Sequence, residues 1–146
     1  MTLEDRLTRL APIVLSIVRI VVALIFFSHG LSKMVGWPAP GMPALFTLGW
    51  FSGVIEFVGG GLLAVGFLSR SAAFIMSGEM AVGYFISHAP KGFFPQLNGG
   101  DAAILYCFIF FYFVFAGPGP WSIDAMIGRG RGRREGSVGR TGARRG

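Results

Sequence analysis

Residues 12–34, PIVLSIVRIVVALIFFSHGLSKM, form one apolar run, broken by Arg19 and closed by His29 and Lys33. At about 1.5 Å of rise per helical residue such a run crosses the ~30 Å of hydrocarbon in a bilayer. Three further runs of the same character follow at 50–68, 71–89 and 102–116. A soluble chain of 146 residues has no interior in which to bury four of them. Composition points the same way, with 53% hydrophobic and 14% charged residues against a usual charged share of about 25%. The chain therefore reads as all-α, an integral membrane four-helix bundle occupying residues 1–128. No length remains for a second folded domain, so chemistry needing a soluble module would fall to a partner.

Arg6 and Arg9 precede the first run in the manner of a secretory signal. Arg19 interrupts that run, however, and no small-x-small cleavage site follows before Ser28, so an uncleaved helix is expected.

The charges orient the bundle. The net charge of +6 sits in the tail: residues 129–146 carry seven arginines and Glu135, whereas the rest of the chain is balanced. Arginines flanking a span stay on the cytoplasmic side, so Arg129, Arg131, Arg133 and Arg134 place the C-terminus inside. Four spans then place the N-terminus inside too, with Arg6, Arg9 and Arg70 on the same side. The outer loops, near 35–49 and 90–101, offer only Lys91 beyond the helix-end Lys33. The Arg/Gly-rich tail, 129–146, has almost no apolar content and is expected to be disordered. Its arginines suit topology and anionic lipid headgroups rather than nucleic acid, which is not an expected partner.

Ionisable groups within apolar helices are costly, so they pair, line a cavity or carry function. Here they are Arg19, His29, Glu56, Glu79 and His88, with Lys33 near a helix end. Depths taken from the helical rise order them as a column opening toward the outer face. His29 and Lys33 stand four residues apart, on one helical face. That face would meet Glu56 and His88, with Asn98 and Asp101 closing the top.

The candidate ligand or proton site is therefore His29, Lys33, Glu56, His88 and Asp101: histidine and carboxylate exchange protons, and lysine polarises an oxygen. The bland alternative is that the same groups fix helix packing, with Arg19–Glu79 and His29–Glu56 as interhelical pairs. Both remain open at this stage.

Gly53, Gly59, Gly60, Gly61 and Gly66 crowd the second run, and Gly78 and Gly83 the third; all are expected to serve close helix packing. The aromatics from Phe108 to Phe115 suit lipid contact, with Tyr106 and Tyr112 as candidates for lining a quinone pocket. Cys107 is the sole cysteine, which excludes an internal disulfide or a dithiol pair. Haem, iron–sulfur, phosphate-loop and zinc-helix spacings are all missing, so no metal and no intrinsic cofactor is expected.

The order and spacing of several short motifs resemble the DoxX family of small bacterial four-helix membrane proteins. They are Arg19, His29-Gly30-x-x-Lys33, Glu56-x-x-Gly59-Gly60, Gly66, Arg70, Asn98-Gly99-Gly100-Asp101 and Gly117-Pro118-Gly119-Pro120-Trp121-Ser122-Ile123-Asp124. The resemblance covers roughly residues 16–125. Family members often have glutamate where Asp101 stands, and the Arg/Gly tail is not part of the pattern. Gly117, Pro118 and Pro120 end the last span, and Ser122 through Asp124 are expected to begin a short interfacial helix with Ser122 as its cap.

The resemblance implies a bacterial cytoplasmic (inner) membrane protein in an oxidoreductase setting, such as a small subunit of a thiosulfate:quinone oxidoreductase or a member of a thiol or oxidative-stress assembly. The expectation is accordingly a membrane subunit of a quinone-linked oxidoreductase, with quinone as its ligand. Expected partners are the lipid bilayer, a soluble or membrane oxidoreductase subunit, and a second copy of the chain. The alternatives are a non-catalytic scaffold or chaperone-like partner and, third, a small-solute carrier.

Overall fold

The computed structural model describes residues 2–130. Thr2 opens the first helix, α1 (Leu3–Val35), by a reciprocal cap: Asp5 N donates to its hydroxyl at 3.2 Å and Thr2 N donates to the Asp5 carboxylate at 2.8 Å. Because that cap sits at residue 2, α1 starts well before the apolar run at 12. Gly36 closes it in the left-handed region, with φ 74° and its N–H on Ser32 O.

Helix α2 (Leu48–Val65) begins at Thr47, whose hydroxyl accepts from Trp50 N at 3.3 Å, and ends at Gly66 with φ 72°. Helix α3 (Ser69–Ser87) has no cap from its own flanking residue. Asp124 supplies it from far along the chain, accepting from Leu68 N at 3.0 Å and Ser69 N at 2.9 Å. A 3-10 turn (Ala89–Lys91), the one-turn helix α4 (Pro95–Asn98) and the apolar helix α5 (Asp101–Ala116) follow. A last helix, α6, spans residues 123–130 and is capped by Ser122, whose hydroxyl accepts from Ala125 N at 3.1 Å. There is no strand among the described residues.

Arg129 and Gly130, placed by the sequence in an unstructured tail, continue α6. The remainder of that expected tail, 131–146, lies outside the described residues.

α1 lies along α2, α3 lies along α5, and α2 meets α3 less extensively. Phe26 joins α1 to α5, with ring centroids 4.7 Å from Phe110 and 5.2 Å from Tyr106. The four long helices thus share one core of Ala23, Phe26, Leu63, Ala72, Ala73, Met76, Phe110 and Phe113. The α1–α2 crossing is close because two glycines face backbone. A Cβ on Gly60 would stand 2.9 Å from Phe27 Cα, and one on Gly30 would collide with the backbone of Glu56 and Phe57. In lipid, where burial of apolar surface drives little, such close approach is what holds helices together.

Outward faces are apolar along every long helix, including Leu24 and Ile25, Val58, Phe74 and Phe85, and Leu105, Phe108 and Phe115. α1 and α2 are each long and apolar enough to cross a membrane, and only 22% and 28% of their most apolar windows are buried. Core helices of a soluble protein would be mostly buried, so these faces are made for lipid. α5 has 16 residues, about 24 Å of helix and short of the hydrocarbon thickness. α3 carries Ser69, Arg70, Ser71, Ser77 and Glu79, which dilute its apolar run.

Candidate functional site

The helix ends at the C-terminus of α1, the N-terminus of α2, the C-terminus of α3 and the N-terminus of α5 gather at one end of the molecule. A cavity of about 590 Å³ opens there among all four. Its floor holds Phe26, Ile55 and Tyr106, and its polar members include His29, Lys33, Ser52, Glu56, Glu79, Ser87 and His88.

The polar cluster is built by the α1–α2 crossing. Gly53 lets the Lys33 stem lie against α2, since a Cβ there would stand 2.8 Å from Lys33 Cβ. Lys33 Nζ consequently reaches Glu56 Oε1 at 2.7 Å and Ser52 Oγ at 2.8 Å. Ser52 in turn donates to Glu79 Oε1 at 2.7 Å. Its other approach, 3.4 Å to Glu56 Oε1, is long for a hydroxyl whose single proton is already placed. One ammonium thus serves two carboxylates from different helices. Glu56 is 4% exposed, and Glu56 Oε2 and Glu79 Oε2 are buried without a partner.

The histidines frame the cavity rather than joining this network. His29 Nδ1 lies 2.9 Å from Ile25 O, and His88 Nδ1 lies 3.0 Å from Asn98 O. A carbonyl can only accept, so Nδ1 carries a proton in each ring, and in the neutral imidazole Nε2 is then an acceptor. Buried Asn98 orders the loop above, donating to Gly92 O at 2.8 Å and accepting from Gly100 N at 2.8 Å.

Three expectations change. Arg19 does not pair with Glu79: its guanidinium, fully buried, donates to Leu63 O at 2.5 Å, Ala64 O at 3.0 Å and Trp121 O at 2.5 Å. It clamps the end of α2 and the segment after α5, because main-chain carbonyls at a helix terminus lack partners of their own. His29 does not pair with Glu56, which Lys33 reaches first. Asp101 stands exposed at the start of α5 and is not in the cavity wall; a helix-initial carboxylate faces the α5 dipole rather than the cleft. Tyr106 lines the cavity, whereas Tyr112 is 60% exposed on the outer face.

The glycines divide. Gly53, Gly59 and Gly60 serve close approach, as expected, but a Cβ on Gly78 or Gly83 would meet nothing within 4 Å. Both line the cavity: they leave space where larger residues would fill it. Ser52 was missed altogether; its only signal is a position four residues before Glu56, on the same helical face.

The large apolar side chains exposed along the cavity wall come from two helices: Leu48 and Phe51 of α2, and Ile75, Val82 and Ile86 of α3. The cleft is therefore open sideways, between α2 and α3.

At the opposite end Asp124 stands between the α3 N-terminus and Arg19. Burial works against its ionisation, but the N–H groups of Ser69 and Leu68 and the charge of Arg19 together outweigh it and hold its carboxyl below the ordinary value. Arg70 makes a second carbonyl clamp on the end of α5, donating to Val114 O and, at 2.8 Å, Phe115 O.

Apolar outward helices, glycine-mediated crossings and a charged cluster buried between helices define a helical membrane protein. The DoxX family model matches residues 14–89, and the chain belongs to the DoxX family. The matched segment holds Arg19, His29, Lys33, Glu56, Glu79 and His88, but not Asp101 or the motif at 117–124. An uncharacterized protein of Haemophilus influenzae is 44% identical over 131 residues, covering 82% of this chain and 95% of that protein. No solved structure matches.

Proposed function

We propose that residues 1–128 form a four-span bundle of the bacterial cytoplasmic membrane, with both termini cytoplasmic, whose outward-facing cleft binds a quinone for a quinone-linked oxidoreductase assembly. The arginine distribution supports the orientation, and packing against α1 and α2 supports spans by the less apolar α3 and the short α5.

One observation carries the ligand: an apolar cleft, open sideways between α2 and α3, ends in a partly buried Lys33–Ser52–Glu56–Glu79 cluster. A quinone has that shape, a polar ring on an apolar tail. The residues fit it, since Lys33 has one N–H beyond those used by Ser52 and Glu56, and the tail would pass Phe51, Ile75, Val82 and Ile86 into lipid. A bound quinone supplies two-electron acceptance coupled to two protons. The chain's part is to orient the ring through Lys33, exchange protons at Glu56 and Glu79, and keep bulk water from the apolar floor. In this reading the electron donor comes from a partner subunit.

The mutual satisfaction of Lys33 and Glu56 favours a second reading, a non-catalytic scaffold in which the cluster only locks α1 to α2. Binding of decylubiquinone to the purified full chain separates the two, with Lys33→Met and Glu56→Gln measured alongside for binding and thermal stability. Saturable binding by wild type, lost in a Lys33→Met variant that still unfolds cooperatively, supports the quinone site. No binding by wild type, with both variants strongly destabilised, supports the scaffold.

A further inference from the structure

The cluster's unused hydrogen-bonding capacity is unbalanced, and the imbalance selects between the two redox forms of the ligand. Resting on the quinone reading of this cleft, we propose that the site binds the reduced, hydroquinone form in preference to the oxidised quinone.

The free groups follow from the bonds already made. Glu56 Oε2 and Glu79 Oε2 are buried and unpartnered; in the ionised form, which mildly alkaline pH favours, they only accept. The Nδ1 protons of His29 and His88 are held by Ile25 O and Asn98 O, so each ring has only its accepting Nε2 left. Ser52 has given its one proton to Glu79 Oε1, and its lone pair takes Lys33. Donors are fewer: the third N–H of Lys33, and the hydroxyls of Ser87 and Tyr106, which can act either way.

A quinone ring brings two carbonyl oxygens, which only accept. Against the two carboxylates they find no proton, and they leave two buried acceptors desolvated and unsatisfied. A hydroquinone brings two hydroxyl groups, which donate to Glu56 Oε2 or Glu79 Oε2 while an oxygen still accepts from Lys33. Hydrogen bonds to charged groups are about twice as strong as neutral ones. One such bond gained is therefore worth about tenfold in affinity.

The test is a paired titration of the purified full chain with decylubiquinol and decylubiquinone, under anaerobic conditions at mildly alkaline pH. Binding is followed by intrinsic tryptophan fluorescence and by equilibrium dialysis. Hydroquinone binds about tenfold more tightly, which raises the midpoint potential of the bound couple by ~30 mV over the free couple. Glu79→Gln puts an amide donor where the carboxylate has none, and the ratio of the two affinities falls toward unity while decylubiquinone binding is kept or improved.

Equal or tighter binding of the oxidised form by wild type overturns the preference and leaves the quinone site standing. Absence of binding by either form overturns both. An unchanged ratio in a Glu79→Gln variant that unfolds at the wild-type temperature overturns the assignment to the carboxylates. If that variant does not fold, the wild-type ratio decides alone.

Discussion

Replacing Arg19 by methionine removes one side chain that ties three segments together. Methionine fits the space of the stem but deprives Leu63 O, Ala64 O and Trp121 O of their shared donor. Polar contacts inside membrane proteins average ~0.6 kcal/mol and reach about 1.7 kcal/mol each. Three of them put the loss for Arg19→Met at about 2–5 kcal/mol. The assay is an SDS titration in mixed micelles followed by tryptophan fluorescence, to which Trp121 contributes directly. Glu79→Gln is measured alone and in combination. Because Arg19 touches carbonyls and not Glu79, the two substitutions add to within about 0.5 kcal/mol. A loss below ~1 kcal/mol for Arg19→Met, or a coupling above ~1 kcal/mol with Glu79, would refute the carbonyl clamp and restore the interhelical ion pair.

Asp124→Ala removes the borrowed cap of α3 and costs about 1 kcal/mol at neutral pH. The Asp124 carboxyl is held below its ordinary 3.8, so its charge-dependent contribution is present above that value and is lost as pH falls through the lower, folded-state value. The difference between wild type and Asp124→Ala therefore narrows in acid; a deficit constant across the titration counts against the assignment. Glycine substitutions split by what faces them. Gly60→Val forces a Cβ toward the Phe27 backbone and destabilises by about 1–3 kcal/mol, whereas Gly78→Ala meets open space and is neutral or stabilising by up to ~1 kcal/mol, since alanine is the better helix former. Equal thermal shifts for the two would contradict the division. Gly83→Phe, which fills the cleft, weakens decylubiquinone binding at least several-fold with the melting temperature unchanged; unchanged affinity places the ligand elsewhere.

What could be read from the chain followed its chemistry. Hydropathy located the helices, because an apolar run of bilayer length has few other uses, and left-handed Gly36 and Gly66 end two of them. The start of α1 was also written in the sequence, as Thr2 and Asp5 at capping distance, but hydropathy draws attention only to residue 12. Lys33, Glu56, His29 and His88 could be grouped because they are chemically conspicuous and share a helical end. Their partners could not. Arg19 is satisfied by carbonyls, which every residue has, so no side-chain pattern announces the clamp. Ser52 is an unremarked serine until two carboxylates and an ammonium are placed around it. Gly60 and Gly78 look alike in sequence and play opposite parts, one admitting a neighbouring backbone and the other leaving a cavity. Asp101 shares a motif with Asn98, yet three residues on, at the start of α5, it stands on the exterior.

Photolabelling tests the central claim most directly. The full chain in lipid nanodiscs is irradiated with a ubiquinone analogue carrying an azide on its ring, with excess decylubiquinone as competitor, and the labelled peptides are identified by mass spectrometry. The account predicts saturable, competed labelling confined to the cleft, in 26–33 of α1, 48–56 of α2, 75–87 of α3 with His88, and 102–106 of α5, and weakened by Gly83→Phe. Labelling that is uncompeted, or that falls on the lipid-facing aromatics Phe108, Phe111 and Phe115 of α5 instead, would contradict it.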